Sequence, residues 1–263
     1  MNILFCGDKN VCEGIFLSAL SVYKRVKEPV SIYILTASVE NHSAIPQEFK
    51  GSLQKALPTA EIFLLDITEL FCGYLPLANM GTRFTPLCML RLFADKVPEI
   101  PDKILYLDAD VLCRGAFSDL YHSDFSDTEI AGVPDRYGKW FFGNILRHNY
   151  LNSGVLMMNM ARIRQSGLME RCRELCKNKK MFMPDQTALN KLAVKRKISA
   201  KYNNQGKIKA DTVFKHFTTY FKLFPYIRAV TIKPWDTEKL HGKLGIFEFD
   251  DILEEYKRRN ENE

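Results

Sequence analysis

The chain has 263 residues, 46% of them hydrophobic and 26% charged, and a formal net charge of +6. Those proportions are ordinary for a soluble globular protein with a full core, and the length suits one large α/β domain, alone or with a small appendage. The modest positive charge permits an anionic partner such as a nucleotide, a phosphate or an acidic membrane surface; with no basic repeat, zinc-knuckle spacing or RNA-binding aromatic motif, nothing calls for nucleic acid.

Asn2 to Cys6 reads as a first strand, stopped by Gly7-Asp8-Lys9-Asn10. From Glu13 to Val26, apolar Ile15, Phe16, Ala19, Leu20, Val22 and Tyr23 recur at helical spacing. Val30 to Leu35 is a second strand, Pro46 to Leu57 a helix with Phe49, Leu53 and Leu57 on one face, and Ile62 to Leu65 a third strand. This β-α-β-α-β rhythm predicts a mostly parallel sheet flanked by helices, whose ligands bind at the carboxyl ends of the strands. Phe84 to Lys96 reads as a helix carrying Arg91, and Pro98 and Pro101 turn the chain into the next strand.

That strand is the informative one. Ile104-Leu-Tyr-Leu107 is a continuous apolar run, the pattern of a strand buried on both faces. It ends in Asp108-Ala109-Asp110, although burying unpaired charge is costly. Residues i and i+2 of an extended chain point to one side, so both carboxylates can reach one cation. Hard oxygen ligands suit magnesium or manganese, which keep sites for substrate phosphates. The alternative is a strand end with two solvated acids.

Ile130 to Val133 is a short strand ending at Pro134-Asp135, and Tyr150 to Met160 another with Asn152-Ser153-Gly154 at its start. Met160 to Asn178 is amphipathic and reads as one helix. Pro184-Asp185-Gln186 opens a further helix, with proline at its first turn and an acid near its N-terminus. Residues 195 to 235 are rich in lysine and aromatics with little clean period, and Phe249 to Arg259 reads as a closing helix. The seven cysteines are scattered, mostly in apolar runs, and read as reduced thiols. The opening Asn2-Ile-Leu-Phe5 is too short and uncharged for a signal peptide, and no apolar run approaches a membrane span. A cytoplasmic protein with at most peripheral membrane contact is expected.

In order, Asp8, Asp108-Ala-Asp110, Asn152-Ser-Gly154, Asp185-Gln186, His216 and the Lys-Pro-Trp of Lys233 to Trp235 form a set that resembles glycosyltransferase family eight. That family includes retaining bacterial lipopolysaccharide galactosyl- and glucosyltransferases and the glycogenins. The resemblance runs from residue 1 to about residue 236. It implies the nucleotide-binding α/β fold termed GT-A, a UDP-sugar donor (UDP-galactose or UDP-glucose), a glycan acceptor and a divalent metal, manganese or magnesium in its place. It implies one glycosyltransferase domain, with residues 1–112 as nucleotide-binding half, 113–235 as donor-sugar and acceptor half and 236–263 as a C-terminal helical segment.

By position, the resemblance assigns Asp108, Asp110 and His216 to the metal. Asp8 would bind the uracil, Asn10 would lie near the ribose, and Ala109 and Arg91 near the donor. Asp135, Asn152, Ser153, Asp185 and Gln186 would surround the hexose, the last two at the reacting carbon. Simpler readings exist for several: a turn for Asp8-Lys-Asn10, a surface charge for Arg91, a helix-terminal charge for Asp185. One departure stands out. The family often runs His-x-x-Gly-x-x-Lys-Pro-Trp, whereas here Thr219 replaces the glycine, Lys222 keeps the spacing from His216, and Lys233 keeps the Pro-Trp neighbours. Spacing favours Lys222 as the diphosphate ligand over Lys233. Two other classes compete: a nucleotide-sugar-binding protein without turnover, and a metal-dependent phosphohydrolase, in which an Asp-x-Asp ends the first strand and its leading acid attacks phosphorus.

Overall fold

The computed structural model describes residues 1–80, 85–136, 149–222 and 228–261, the side chains of Leu77, Tyr220, Phe221, Lys222, Arg228, Ala229 and Asn260 excepted. The Phe84 start of the expected third helix lies outside the described residues; the helical stretch runs from Pro86 to Lys96 with 3-10 geometry.

Strands β1 (Asn2–Cys6), β2 (Ser31–Thr36), β3 (Glu61–Asp66) and β4 (Lys103–Leu107) form where the apolar runs lie. β5 (Val111–Cys113), β6 (Ile130–Pro134), β7 (Leu151–Asn159) and β8 (Lys195–Lys197) follow. Among the described residues, seven strands make one sheet in the order β3-β2-β1-β4-β7-β6-β8. Its β3-β2-β1-β4 half and the β6-β8 pair are parallel, and β7 is antiparallel to both neighbours.

Alternation along β4 explains its central place. Leu105 and Leu107 enter the core on one face of the sheet, and Ile104 and Tyr106 enter the core on the other. With each large side chain contributing roughly 1.5–3 kcal/mol on full burial, only a strand covered on both faces satisfies all four.

Helices α1 (Cys12–Arg25) and α2 (Gln47–Ala56) pack on the Leu105 side, where Phe16, Leu20 and Leu53 are buried. The expected single helix over Met160–Asn178 is two: α5 (Met160–Ser166) and α6 (Leu168–Asn178), following the short α3 (Thr68–Cys72) and α4 (Ser118–His122). Gly167 between them sits at φ 64°, a left-handed conformation that glycine adopts without a Cβ clash and that ends a helix. The amphipathic period runs through the break, so it is silent about it. α7 (Pro184–Leu192) has its proline in the first turn, as the sequence predicts.

The irregular third of the chain holds β9 (Phe214–His216), which pairs with β5, and an antiparallel pair of β10 (Tyr220–Lys222) and β11 (Arg228–Val230). That pair accounts for the extra residues between His216 and Lys-Pro-Trp: the chain leaves after Thr219 and returns at Thr231, whose hydroxyls meet at 2.7 Å. α8 (Thr237–Lys239) and α9 (Asp250–Asn260) complete the chain.

Candidate active site

β1 and β4 are parallel neighbours, so Asp8 and the Asp108–Asp110 pair lie on the same edge of the sheet. The acids themselves are not in an extended strand. The Val111 N–H donates to the Asp108 carbonyl at 3.1 Å, closing a turn over Asp108-Ala109-Asp110. It is this turn, not the strand pleat, that brings the two carboxylates to one side. The turn is clamped at both ends: the Asp108 N–H donates to the Gly154 carbonyl (2.8 Å), and the Phe217 N–H to the Asp110 carbonyl (3.0 Å). The half-buried Ala109 packs its carbonyl over Gly14, where a Cβ would lie 2.6 Å from that oxygen.

β5 resumes after the turn, and the β5–β9 register sets Val111 opposite His216. The imidazole is thereby carried to the acids, with Nε2 3.1 Å from Asp110 Oδ1 and 3.7 Å from Asp108 Oδ2. Gly154 makes the approach possible: a Cβ there would fall 2.1 Å from His216 Cε1 and 2.8 Å from Asp108 Oδ2. One ligand atom each from Asp108, Asp110 and His216 lies within 4.8 Å of the others. Two carboxylates and one imidazole are a donor set that fits manganese, or magnesium. The other oxygens are engaged: Asp108 Oδ1 accepts from Arg91 Nη2 (2.9 Å) and the Tyr106 hydroxyl (2.6 Å), and Asp110 Oδ2 from Lys233 Nζ (2.7 Å). Burial alone would raise the Asp110 carboxyl, but His216 and Lys233 hold it well below the usual carboxylate range.

Arg91 is not a surface charge. It is 5% exposed and joins three parts of the site, donating to Asp108 and to the Ser153 carbonyl (2.7 Å) and ion-pairing with Asp185, whose Oδ2 lies 3.2 Å from Nε. Burial pushes the Asp185 carboxyl up, against the pull of Arg91.

β7 runs antiparallel to β4, so the start of β7 abuts the end of β4. That is why Asn152 and Ser153, at the beginning of a strand, meet acids at the end of another. The Asn190 side chain exchanges two hydrogen bonds with the Leu151 backbone, pinning α7 against this point. Gln186 Oε1 accepts from the Ser153 N–H (2.9 Å) and hydroxyl (3.1 Å), while its Nε2 donates to Asp135 Oδ2 at 3.3 Å. Asn152 Nδ2 donates to the same oxygen at 2.9 Å.

Asp8 is 5% exposed and accepts from the Asn10 N–H (3.1 Å), Asn10 Nδ2 (2.8 Å) and His42 Nδ1 (2.6 Å). The Lys222 backbone is in β10 and its side chain lies outside the described residues, whereas the Lys233 ammonium is at Asp110.

Three residues of the site carry no signal in the sequence that singles them out: His42 beside Asp8, Asn203 against His216 Nδ1 (3.1 Å), and Tyr106, which reads as an apolar strand residue until its hydroxyl is seen on Asp108.

A family model described as glycosyl transferase family 8 matches residues 2–239. The chain is similar to a lipopolysaccharide 1,3-galactosyltransferase of Salmonella typhimurium, 24% identical over 250 residues, or 90% of this chain and 68% of that protein. It is also similar to a lipopolysaccharide 1,2-glucosyltransferase of Escherichia coli K12, 25% identical over 234 residues, 85% of this chain and 68% of that one. Among solved structures, galactosyltransferase LgtC, crystallised with donor and acceptor sugar analogs, superposes with a TM-score of 0.70 at 18% identity, covering 97% of this chain and 94% of that chain.

Proposed function

This chain belongs to glycosyl transferase family 8, a glycosyltransferase with the GT-A-type fold, and from that premise we propose that it is a metal-dependent, retaining hexosyltransferase. It moves galactose or glucose from a UDP-sugar to a glycan acceptor, a bacterial cell-surface polysaccharide or lipopolysaccharide intermediate assembled on the cytoplasmic side of the membrane. Two relatives are named for lipopolysaccharide, one transferring galactose and one glucose. Among the described residues no helix is long and apolar enough to cross a membrane. The observation that carries the proposal is the convergence of Asp108, Asp110 and His216 at the carboxyl edge of the sheet.

Manganese, or magnesium in its place, held by these three side chains would neutralise the charge that develops on the diphosphate as UDP departs. The protein's own groups do the rest. Asp8 Oδ2 receives two hydrogen bonds and Oδ1 one, leaving Oδ1 able to accept the N3–H of a uracil, with Asn10 beside the ribose and Ala109 lining the nucleotide. Lys233 Nζ, 2.7 Å from Asp110, is the cation for the diphosphate, and Lys222 is the rival by spacing. Asp185, Asn152, Asp135 and Ser153 hold the hexose hydroxyls, and Arg91 keeps Asp185 and Asp108 in place. Gln186 is no nucleophile: it is a neutral amide whose oxygen already accepts two hydrogen bonds from Ser153. Transfer therefore proceeds on one face of the sugar through an oxocarbenium-like state, without a covalent sugar–enzyme bond.

Proton NMR of the purified protein with manganese and UDP-galactose or UDP-glucose tests this reading. One donor's anomeric signal is expected to decay, with the α-hexose appearing before its mutarotation. Release of the β-hexose first would overturn retention, and two undiminished donors would overturn the donor assignment.

A further inference from the structure

Asn203 is 1% exposed and follows the short helical turn Ala200–Tyr202, in the stretch with the least regular sequence pattern. Its side chain spans two residues of the site that are far apart in sequence. Nδ2 donates to Asn152 Oδ1 at 2.8 Å, and Oδ1 lies 3.1 Å from His216 Nδ1. The next residue ties the same segment to β9: the Asn204 N–H donates to the Phe214 carbonyl and the His216 N–H to the Asn204 carbonyl, at 2.9 and 3.0 Å.

The polarity of this bridge is fixed by groups that have no choice. Asn152 Oδ1 accepts from the backbone N–H of Gly154 at 3.0 Å, and a backbone N–H only donates. At its other end, Asn152 Nδ2 meets the Asp135 carboxylate at 2.9 Å, and a carboxylate only accepts. Asn152 therefore turns its oxygen to Asn203, Asn203 must answer with its amide N–H, and its oxygen is left for His216. His216 accordingly carries a proton on Nδ1, and Nε2 is the ring nitrogen on the side of Asp108 and Asp110. An outer hydrogen bond of this kind orients a metal-ligating imidazole and fixes which nitrogen binds.

We propose that Asn203 is a positioning residue with two outputs: it sets His216 Nε2 toward the divalent cation, and it holds Asn152 in register with Asp135 and Gln186 for the donor sugar. Cation retention and sugar recognition then share one buried amide. The first output rests on the reading of Asp108, Asp110 and His216 as the cation site; the second does not.

Two substitutions separate the outputs. Asn203→Asp keeps an oxygen for the Nδ1–H of His216, and a carboxylate is itself a common outer partner of a ligating histidine, but it has no N–H for Asn152. Asn203→Ala loses both contacts. Retention of Mn2+ in the presence of UDP, followed by the electron paramagnetic resonance of free Mn2+, reads the first output. The ratio of affinities for UDP-galactose or UDP-glucose against UDP, by calorimetry, reads the second. Asn203→Ala is expected to lose about 10- to 100-fold in Mn2+ affinity, together with the preference for the sugar-bearing nucleotide. Asn203→Asp is expected to hold Mn2+ as the parent does and to lose only the sugar preference. Equal losses in both variants on both readouts, tracking a common fall in melting temperature, would reduce Asn203 to a structural amide and overturn the proposal, as would two variants indistinguishable from the parent. A parent protein that holds no Mn2+ with UDP would strike the cation reading and the first output with it, while the sugar ratio still decides the second.

Discussion

Arg91 is a buried cation shared between two acids of the site. Its guanidinium faces Asp108, Asp185 and the Ser153 carbonyl, and lies 4.0 Å from the centroid of the Tyr106 ring. Removing one partner of a buried pair leaves an uncompensated charge and costs about 3–5 kcal/mol, so Arg91→Met is expected to destabilise the protein by that order at pH 7 in urea denaturation. The pH dependence follows from Asp185, whose carboxyl burial already pushes up. Such a group binds more protons folded than unfolded, so its contribution falls as pH rises through the carboxylate range. Loss of Arg91 enlarges that effect. The deficit should therefore be largest at neutral pH and shrink on acidification, where Asp185 is neutral in both states; a deficit that grows on acidification would contradict the pairing. The sequence left Arg91 open between surface charge and site residue, because an arginine in an amphipathic stretch has the same pattern in either role.

At the scale of elements, β7 decides how the site is assembled. Its apolar run predicts a strand but not a direction, because the run would bury equally well parallel or antiparallel to β4. The antiparallel arrangement puts Gly154 across from Asp108 and under His216. Gly154→Ala would set a methyl carbon 2.1 Å from the imidazole as it stands, so the ring must move. A displacement of about 1 Å at a reacting centre can cost on the order of 100-fold in rate, and donor turnover should fall by that order. A manganese titration of the variant should show a raised metal requirement; an unchanged one would mean that His216 does not need this position. The turn over Asp108–Asp110 and the break at Gly167 were likewise invisible to period counting. Periodicity records which residues are buried, and both features are changes of backbone direction that leave burial unchanged. The β10–β11 pair resolves the odd spacing before Lys-Pro-Trp in the same way, as an excursion that returns Lys233 to Asp110.

Across the whole molecule, the rim of the sheet was legible from the β-α rhythm alone, because ligand sites at the carboxyl ends of parallel strands follow from topology. Asp108, Asp110, His216, Asn152, Asp185 and Gln186 were each singled out in the sequence, and the fold gathers them around Arg91 and Asp135. Asn203 and His42 were not, since each is a single polar residue in an irregular stretch whose importance lies in what it touches. Under the proposed function, the Asp108–Asp110–His216 cluster serves the cation on which donor turnover depends. The most direct test is release of UDP from UDP-galactose and from UDP-glucose, with manganese or with chelator, by the parent protein and by Asp110→Asn. Manganese-dependent release from one donor, abolished by the chelator and by the substitution, is the result predicted. Release that survives both would mean that this cluster does not hold a cation required for turnover.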